Sequence, residues 1–183
     1  MLPKHKYLLT YRLSEMIHDL TVQFCDAWVS RFSRTTDQMI QAARSGKQNI
    51  VEGVGQSKTS KKGEIKLLGV ANASFEELIT DYEDFLRQHG MATWPKYHPK
   101  VQAFRKRAAV LSSLSNLSPL GDLKIRPRLP SDPETAANLL LTLCHMATYV
   151  LFRQIEKAEN DFVEHGGFSE HLFNKRLSRK MHQ

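Results

Sequence analysis

Ile65, Leu68, Asn72, Phe75, Ile79, Tyr82 and Leu86 follow one another at alternating spacings of three and four residues. No other feature constrains the chain as much. That alternation keeps all of them on one stripe of an α-helix, and such a stripe has to be covered by other helices. Its one polar member, Asn72, is expected to be buried and to fix the register through a hydrogen bond, with a functional asparagine as the other reading. The seam predicts a helix over about 60–89, ended by His89-Gly90.

Three further segments supply cover. Leu9, Leu13, Ile17, Leu20, Phe24 and Trp28 repeat the helical spacing in a first helix, about 8–32. Met39, Ala43, Gly46, Ile50 and Val54 do so in a second, about 36–53, for which Ser33 to Thr36 offer hydroxyl caps. The small residues at 42, 43, 45 and 46 imply close approach to a neighbour, and Gly53 and Gly55 are the glycines that helix ends prefer. A last long helix, about 133–165, carries Ala136, Leu140, Leu143, Ala147, Ile155, Ala158 and Phe162 on one stripe. Two starts suit it equally: Ser131 with Glu134 has capping-box spacing, and Asp132 before Pro133 is a good cap.

Residues 91–132 differ in character. Trp94-Pro95 and His98-Pro99 break any helix, a short basic helix is expected over Val101 to Leu114, and Pro119, Pro127 and Pro130 mark an irregular connection. Residues 166–183 form a basic C-terminal extension with apolar Phe168, Leu172, Phe173 and Leu177. The expectation is an all-α fold: an antiparallel up-down four-helix bundle over residues 1–165, an irregular basic insertion before the last long helix, and a short extension. Only 9 Gly and 7 Pro punctuate the chain, which agrees with helices rather than a many-turned β fold.

Charge narrows the partners without choosing one. Twenty-six Lys and Arg against 19 Asp and Glu give 26 − 19 = +7, which favours nucleic acid, an acidic protein face or anionic lipid. Cys25 and Cys144 lie far apart with no CxxC spacing, and the N-terminus lacks the apolar core of a signal peptide. Leu139 to Leu143 is too short an apolar run to span a bilayer. A cytoplasmic protein with two reduced thiols and no membrane role is expected.

The main basic group is Arg44, Lys47, Lys58, Lys61, Lys62 and Lys66. Several of these sit on the turn into the third helix, where free N–H groups and the helix dipole also favour a phosphate; a solvated turn is the other reading. A second group is Lys96, Lys100, Arg105, Lys106 and Arg107, continuing through Lys124, Arg126 and Arg128. Trp94, Tyr97 and Phe104 beside it either stack on unpaired bases or pack against the bundle. A third is Lys175, Arg176, Arg179 and Lys180.

No catalytic constellation emerges. Glu15-x-x-His18 has metal-site spacing but no second such pair, and Cys25 and Cys144 have only sequence neighbours, Asp26 and His145, which point about 100° away. Gly53-Val54-Gly55 followed by Lys58 fits neither a P-loop nor a dinucleotide motif. No enzyme activity, metal or cofactor is expected. Acidic clusters at Glu76 to Asp84 and at Glu156 to Glu164 either stay solvated or meet basic patches of neighbouring subunits.

The run Ala42 to Gly53, ending Asn49-Ile50-Val51-Glu52-Gly53, then Ser60-Lys61-Lys62-Gly63-Glu64, then Ala73-Ser74-Phe75-Glu76-Glu77-Leu78, resembles a bacterial four-helix-bundle family. That family includes proteins encoded in intervening sequences of large-subunit ribosomal RNA genes. Glu134 to Asn138, Ala147-Thr148-Tyr149 and Gly166 to Glu170 resemble a variant with a C-terminal suffix. The resemblance implies an up-down bundle, often a ring of five. One relative is the accessory variability protein of diversity-generating retroelements, a basic pentamer that binds reverse transcriptase and nucleic acid. Asn49, Glu52 and Gly53 match the family's Asn-x-x-Glu-Gly and are read as a hydrogen-bond network at the second turn, with Glu52 paired to Arg44 or a nearby lysine. The functional expectation is a non-catalytic accessory or scaffold protein that contacts RNA or DNA phosphates. The alternative is a protein-interaction module docking an acidic partner through its C-terminal segment.

Overall fold

The computed structural model describes residues 2–180. Met1 and residues 181–183, at the ends of the two expected regions, lie outside the described residues, as does the Lys180 side chain. Regular structure among the described residues is helical, with one isolated bridge between Leu117 and Leu123 and no strand. The long elements are α1 (Leu9–Trp28), α2 (Arg34–Gln56), α3 (Lys61–Gln88), α4 (Pro99–Leu111), α5 (Pro133–His165) and α6 (Phe168–Lys180). Short 3-10 turns cover Lys4–Tyr7 and Leu114–Asn116.

Caps and packing explain the boundaries. α1 stops at Trp28, before the expected residue 32, because Val29 is already extended and Ser33 serves as the N-cap of α2. The Ser33 hydroxyl accepts the Thr35 N–H at 3.2 Å. α2 continues through Gly53 and Gly55 to Gln56, so neither glycine ends it. Gly46 is the close-packed one, where a Cβ would sit 2.6 Å from the Phe75 ring; a Cβ on Gly53 would meet Glu64 O and the Leu67 Cβ at 3.4 Å, and one on Gly55 would meet nothing within 4 Å. α4 begins at Pro99 with His98 as its cap, so His98-Pro99 starts a helix that the sequence reading began at Val101. α5 starts on Asp132, whose carboxylate accepts the Thr135 N–H at 2.8 Å.

α1 packs on α2 and α5, α2 on α3, α3 on α5, and α4 on α5. Leu13, Ile17, Leu20, Ile50, Leu68, Phe75, Leu78, Leu140, Ala147 and Leu151 form the buried interior. Each large side chain buried there contributes roughly 1.5–3 kcal/mol. Phe24 meets Trp28, Tyr82 and Phe85 edge-on at 5.2, 5.2 and 4.8 Å between centroids. The Thr21 hydroxyl donates to Ile17 O at 2.7 Å, so the buried Tyr82 hydroxyl donates to Thr21 at 2.8 Å. Asn72 is half-buried, and its buried Oδ1 has no hydrogen-bond partner among the described residues, so it does not fix the register as expected.

Polar side chains attach the insertion to the body. Asn138 on α5 accepts the Trp94 N–H at 2.7 Å and donates to Ala92 O at 2.9 Å. The buried Arg12 donates to Ser112 O at 2.5 Å and Lys6 O at 3.0 Å, placing a cation at the C-terminal end of α4. Burial lowers its pKa. Asn116 accepts the Ile125 N–H at 2.9 Å and donates to Ile125 O at 2.9 Å and Leu111 O at 2.7 Å, closing the loop after α4.

The stretch Pro133–Arg179 contains an 18-residue window with mean hydropathy 1.4, long and apolar enough to cross a membrane by length and composition. Within the protein 56% of that window is buried, and α5 packs there on α1 and α3. α6 is exposed along its described side chains.

Candidate nucleic-acid interface

The expected main basic group is dispersed. Ser60 caps α3 by accepting the Gly63 N–H at 3.0 Å, so part of the helix N-terminus serves the chain's own hydroxyl. Lys61 pairs with the buried Glu64 at 2.8 Å. Lys62 lies over the Phe162 ring, its Nζ 5.7 Å from the centroid, while Lys58 and Lys66 are exposed. Arg44 and Lys47 precede Lys58 by 14 and 11 residues, which at 1.5 Å per residue is about 21 and 16 Å along the helix. Lys47 is half-buried and its Nζ donates to His18 Nδ1 at 3.1 Å. Burial, then Lys47 and Arg44, lower the His18 pKa, with Asp19 opposing; the ring is a neutral acceptor.

The expected network around Asn49 and Glu52 takes another form. Asn49 turns back on its own helix and donates to Ser45 O at 2.9 Å and Ser45 Oγ at 3.2 Å. Glu52 is exposed and has no ion pair among the described residues. A carboxylate pointing into water gains little from a lysine nearby.

The second group is divided: Lys96 and Arg105 come together at one groove, while Arg107, Arg126 and Arg128 line a different cleft. Trp94 is fixed by its Nε1–H, which donates to Glu134 at 2.9 Å, and by stacking on His98 at 4.4 Å between centroids. Lys100 Nζ lies 4.8 Å from the Trp94 ring centroid. Trp94 and Phe104 are both half-buried and in stacked orientation at 6.4 Å, so they pack rather than wait for a base. Tyr97 is 78% exposed. Between α4 and α5 lies an open hollow of about 600 Å³ lined by Lys96, Arg105, His145, Met146 and Tyr149. Lys96, Arg105 and His145 also line an adjoining notch of about 120 Å³. Lys96, Lys100, Arg105, Lys106 and Arg107 are exposed and take part in no ion pair among the described residues.

Tyr149 is 68% exposed and His145 lies one turn before it. Reading the sequence by its core stripe passed over both. Their spacing of four on the face away from Leu140, Leu143 and Ala147 was the signal that could have found them.

The turn and the groove are separate places. Lys62 touches Phe162, whereas Lys100 reaches Thr135 at 3.5 Å, and 27 helical residues between those contacts span about 40 Å. Glu156, Glu159 and Asp161 occupy the α5 stretch leading toward Phe162. A phosphate backbone following that helix would meet carboxylates there. The third group, Lys175, Arg176 and Arg179, is exposed on α6.

The remaining titratable groups are set by burial. Burial, with a smaller contribution from Asp81, pushes the Cys25 thiol up to about 12, and burial raises Cys144 as well, so neither thiol is activated. Asp81 is raised to about 6 by burial and by Glu77 and Asp84, and its Oδ2 has no hydrogen-bond partner among the described residues.

No protein-family model, curated protein or solved structure matches the chain.

Proposed function

We propose that this chain is a non-catalytic, nucleic-acid-binding accessory protein built on an antiparallel up-down four-helix bundle. One observation carries the nucleic-acid reading: the α4–α5 groove sets unpaired Lys96 and Arg105 beside an exposed Tyr149. Cations without acidic partners keep their full attraction for phosphate, and an exposed aromatic face accepts any unpaired base. Single-stranded RNA or DNA is therefore the favoured partner. Lys96, Lys100, Arg105 and Lys106 hold the backbone and Tyr149 stacks a base.

The bundle direction is supported between α1 and α2 by two pairs in which rising numbers meet falling ones, and single contacts tie α1 to α5 and α2 to α3. Thr10 meets Gln154 at 2.8 Å on α1 and α5. His18 meets Lys47 and Cys25 meets Met39 on α1 and α2. Ser45 meets Ser74 at 3.0 Å on α2 and α3. Assembly into a homo-oligomer, a pentamer by the resemblance, would multiply a weak groove through effective concentration. A reverse transcriptase or another nucleic-acid enzyme is the partner that the resemblance implies, in the cytoplasm. A second reading, a protein-docking module, draws on α6, where Phe168, Leu172, Phe173 and Leu177 are all exposed.

The test is binding of labelled single-stranded RNA, single-stranded DNA and duplex DNA across a salt series. Four phosphate contacts predict a log–log slope of about −3 on single strands, flattening when Lys96, Lys100, Arg105 and Lys106 become alanine. No binding at low salt sinks the proposal and leaves the docking module.

A further inference from the structure

A second hollow lies on the opposite flank of α4. Its floor is Met16, Ala108, Leu111, Leu139 and Leu143, supplied by α1, α4 and α5, and it encloses about 490 Å³. Small-molecule sites occupy roughly 300–1,000 Å³ and are mostly apolar with a few convergent polar groups. The convergent groups here are Arg107, Arg126 and Arg128, which line the same cleft. All three are exposed, none has an ion pair among the described residues, and no acidic side chain lines the cleft. Arg105 and Arg107 are two residues apart and so point about 200° apart on α4, which separates this cleft from the groove.

The arginine-bearing wall is built before any ligand arrives. Asn116 holds Ile125 by both its N–H and its carbonyl, and Ile125 leads directly into Arg126 and Arg128. Pro127 and Pro130 stiffen the segment that follows. A cleft with hydrocarbon on its floor and guanidinium groups on its rim complements one kind of molecule.

We infer that this cleft binds a small amphiphile with an apolar tail and an anionic head, of which a fatty carboxylate is the simplest probe. The tail covers Leu111, Leu139 and Leu143, and the arginines take the head in charge-assisted hydrogen bonds. A nucleotide fits less well, because the floor offers no polar side chain to the edge of a base. The cleft needs none of the groove's lysines, so it stands or falls apart from nucleic-acid binding.

The experiment titrates the whole 183-residue chain with dodecanoate below its micelle concentration, by calorimetry and by intrinsic fluorescence. Trp28 and Trp94 both contribute to that fluorescence, Trp94 being stacked on the cleft residue Phe104. Saturable binding of one dodecanoate per chain is expected. Replacing Arg107→Gln, Arg126→Gln and Arg128→Gln together should weaken it by at least about tenfold, the sum of three modest ion pairs. Dodecanol should bind wild type at least about tenfold more weakly than dodecanoate does. Leu139→Trp, which fills the cleft, should abolish binding. The arginines are exposed, so the triple variant keeps its melting temperature. The Lys96, Lys100, Arg105 and Lys106 alanine variant should bind dodecanoate as wild type does. Absence of saturable binding, equal affinity in the arginine variant, or equal affinity for dodecanol would each overturn the inference.

Discussion

The α2–α3 turn and the α4–α5 groove are both rich in lysine and arginine and both keep cations without acidic partners, but only the groove sets them beside an exposed tyrosine. At the turn, Lys61 is held by Glu64 and Lys62 lies over Phe162, whereas Lys58 and Lys66 are exposed and have no ion pair among the described residues. In the groove, Lys96 and Arg105 have no acidic partner and face Tyr149 and His145. Counting cations along the chain weighs the two equally. Their surroundings do not: Tyr149 in the groove offers a base a stacking face, whereas α5 brings Glu156, Glu159 and Asp161 toward the turn.

The sharpest way to break this comparison is to neutralise each place in turn. The groove variant (Lys96, Lys100, Arg105 and Lys106 to alanine) should lose about a hundredfold in single-strand affinity at low salt. The turn variant (Lys58, Lys61, Lys62 and Lys66 to alanine) should lose less than about threefold in the same filter-binding measurement. Equal losses would erase the distinction between the two places.

Arg12 carries the pairing idea to its limit, since its guanidinium is buried against Ser112 O and Lys6 O. Arg12→Ala should destabilise the protein by about 2 kcal/mol in urea unfolding while leaving the groove's charge untouched. Tyr149→Ala should cost about tenfold in binding to single strands and nothing on duplex DNA, because only unpaired bases stack. An equal loss on both would make Tyr149 a structural residue of the groove.

Asp81 tests the reverse case, an anion without a partner. Its carboxyl has a pKa near 6 in the folded protein against 3.8 when unfolded, so the folded state keeps the proton longer. Stability therefore falls as pH rises from about 4 to 6, and the deficit persists above 6. Because Asp81 is only half-buried, Asp81→Asn should gain about 1 kcal/mol at pH 8, with the gain vanishing near pH 4. A gain that does not vary with pH would show that ionisation of Asp81, disfavoured first by burial and then by Glu77 and Asp84, is not the cause.

The helical frame was legible because its signal is repetitive. The seam from Leu68 to Leu86 and the Asp132-Pro133 start can be read locally, and both appear in α3 and α5. What failed to read locally depends on a neighbour. Gly53 has the composition of a helix end, yet it lies inside α2, where a Cβ would meet Glu64 O and Leu67. Glu52 and Lys61 look alike as charged residues near one turn, but Lys61 finds Glu64 and Glu52 finds water. The spacing of His145 and Tyr149 puts both on the outer face of α5, but that this face meets α4 is decided by a distant part of the chain.

The contacts of Asn138 have an architectural consequence. One amide holds Ala92 and Trp94 against the first turn of α5, so the chain leaves the helical body and returns to it at nearly the same point. Residues 95–131 are a detour whose two ends are sutured. The groove and the arginine-rimmed cleft flank the helix carried on that detour, each using the body only as its other wall. The detour is also part of the core, since its Ala108, Leu111 and Leu123 are buried there and Ser112 O receives the buried Arg12, so a change in this loop is felt by the helices beneath it.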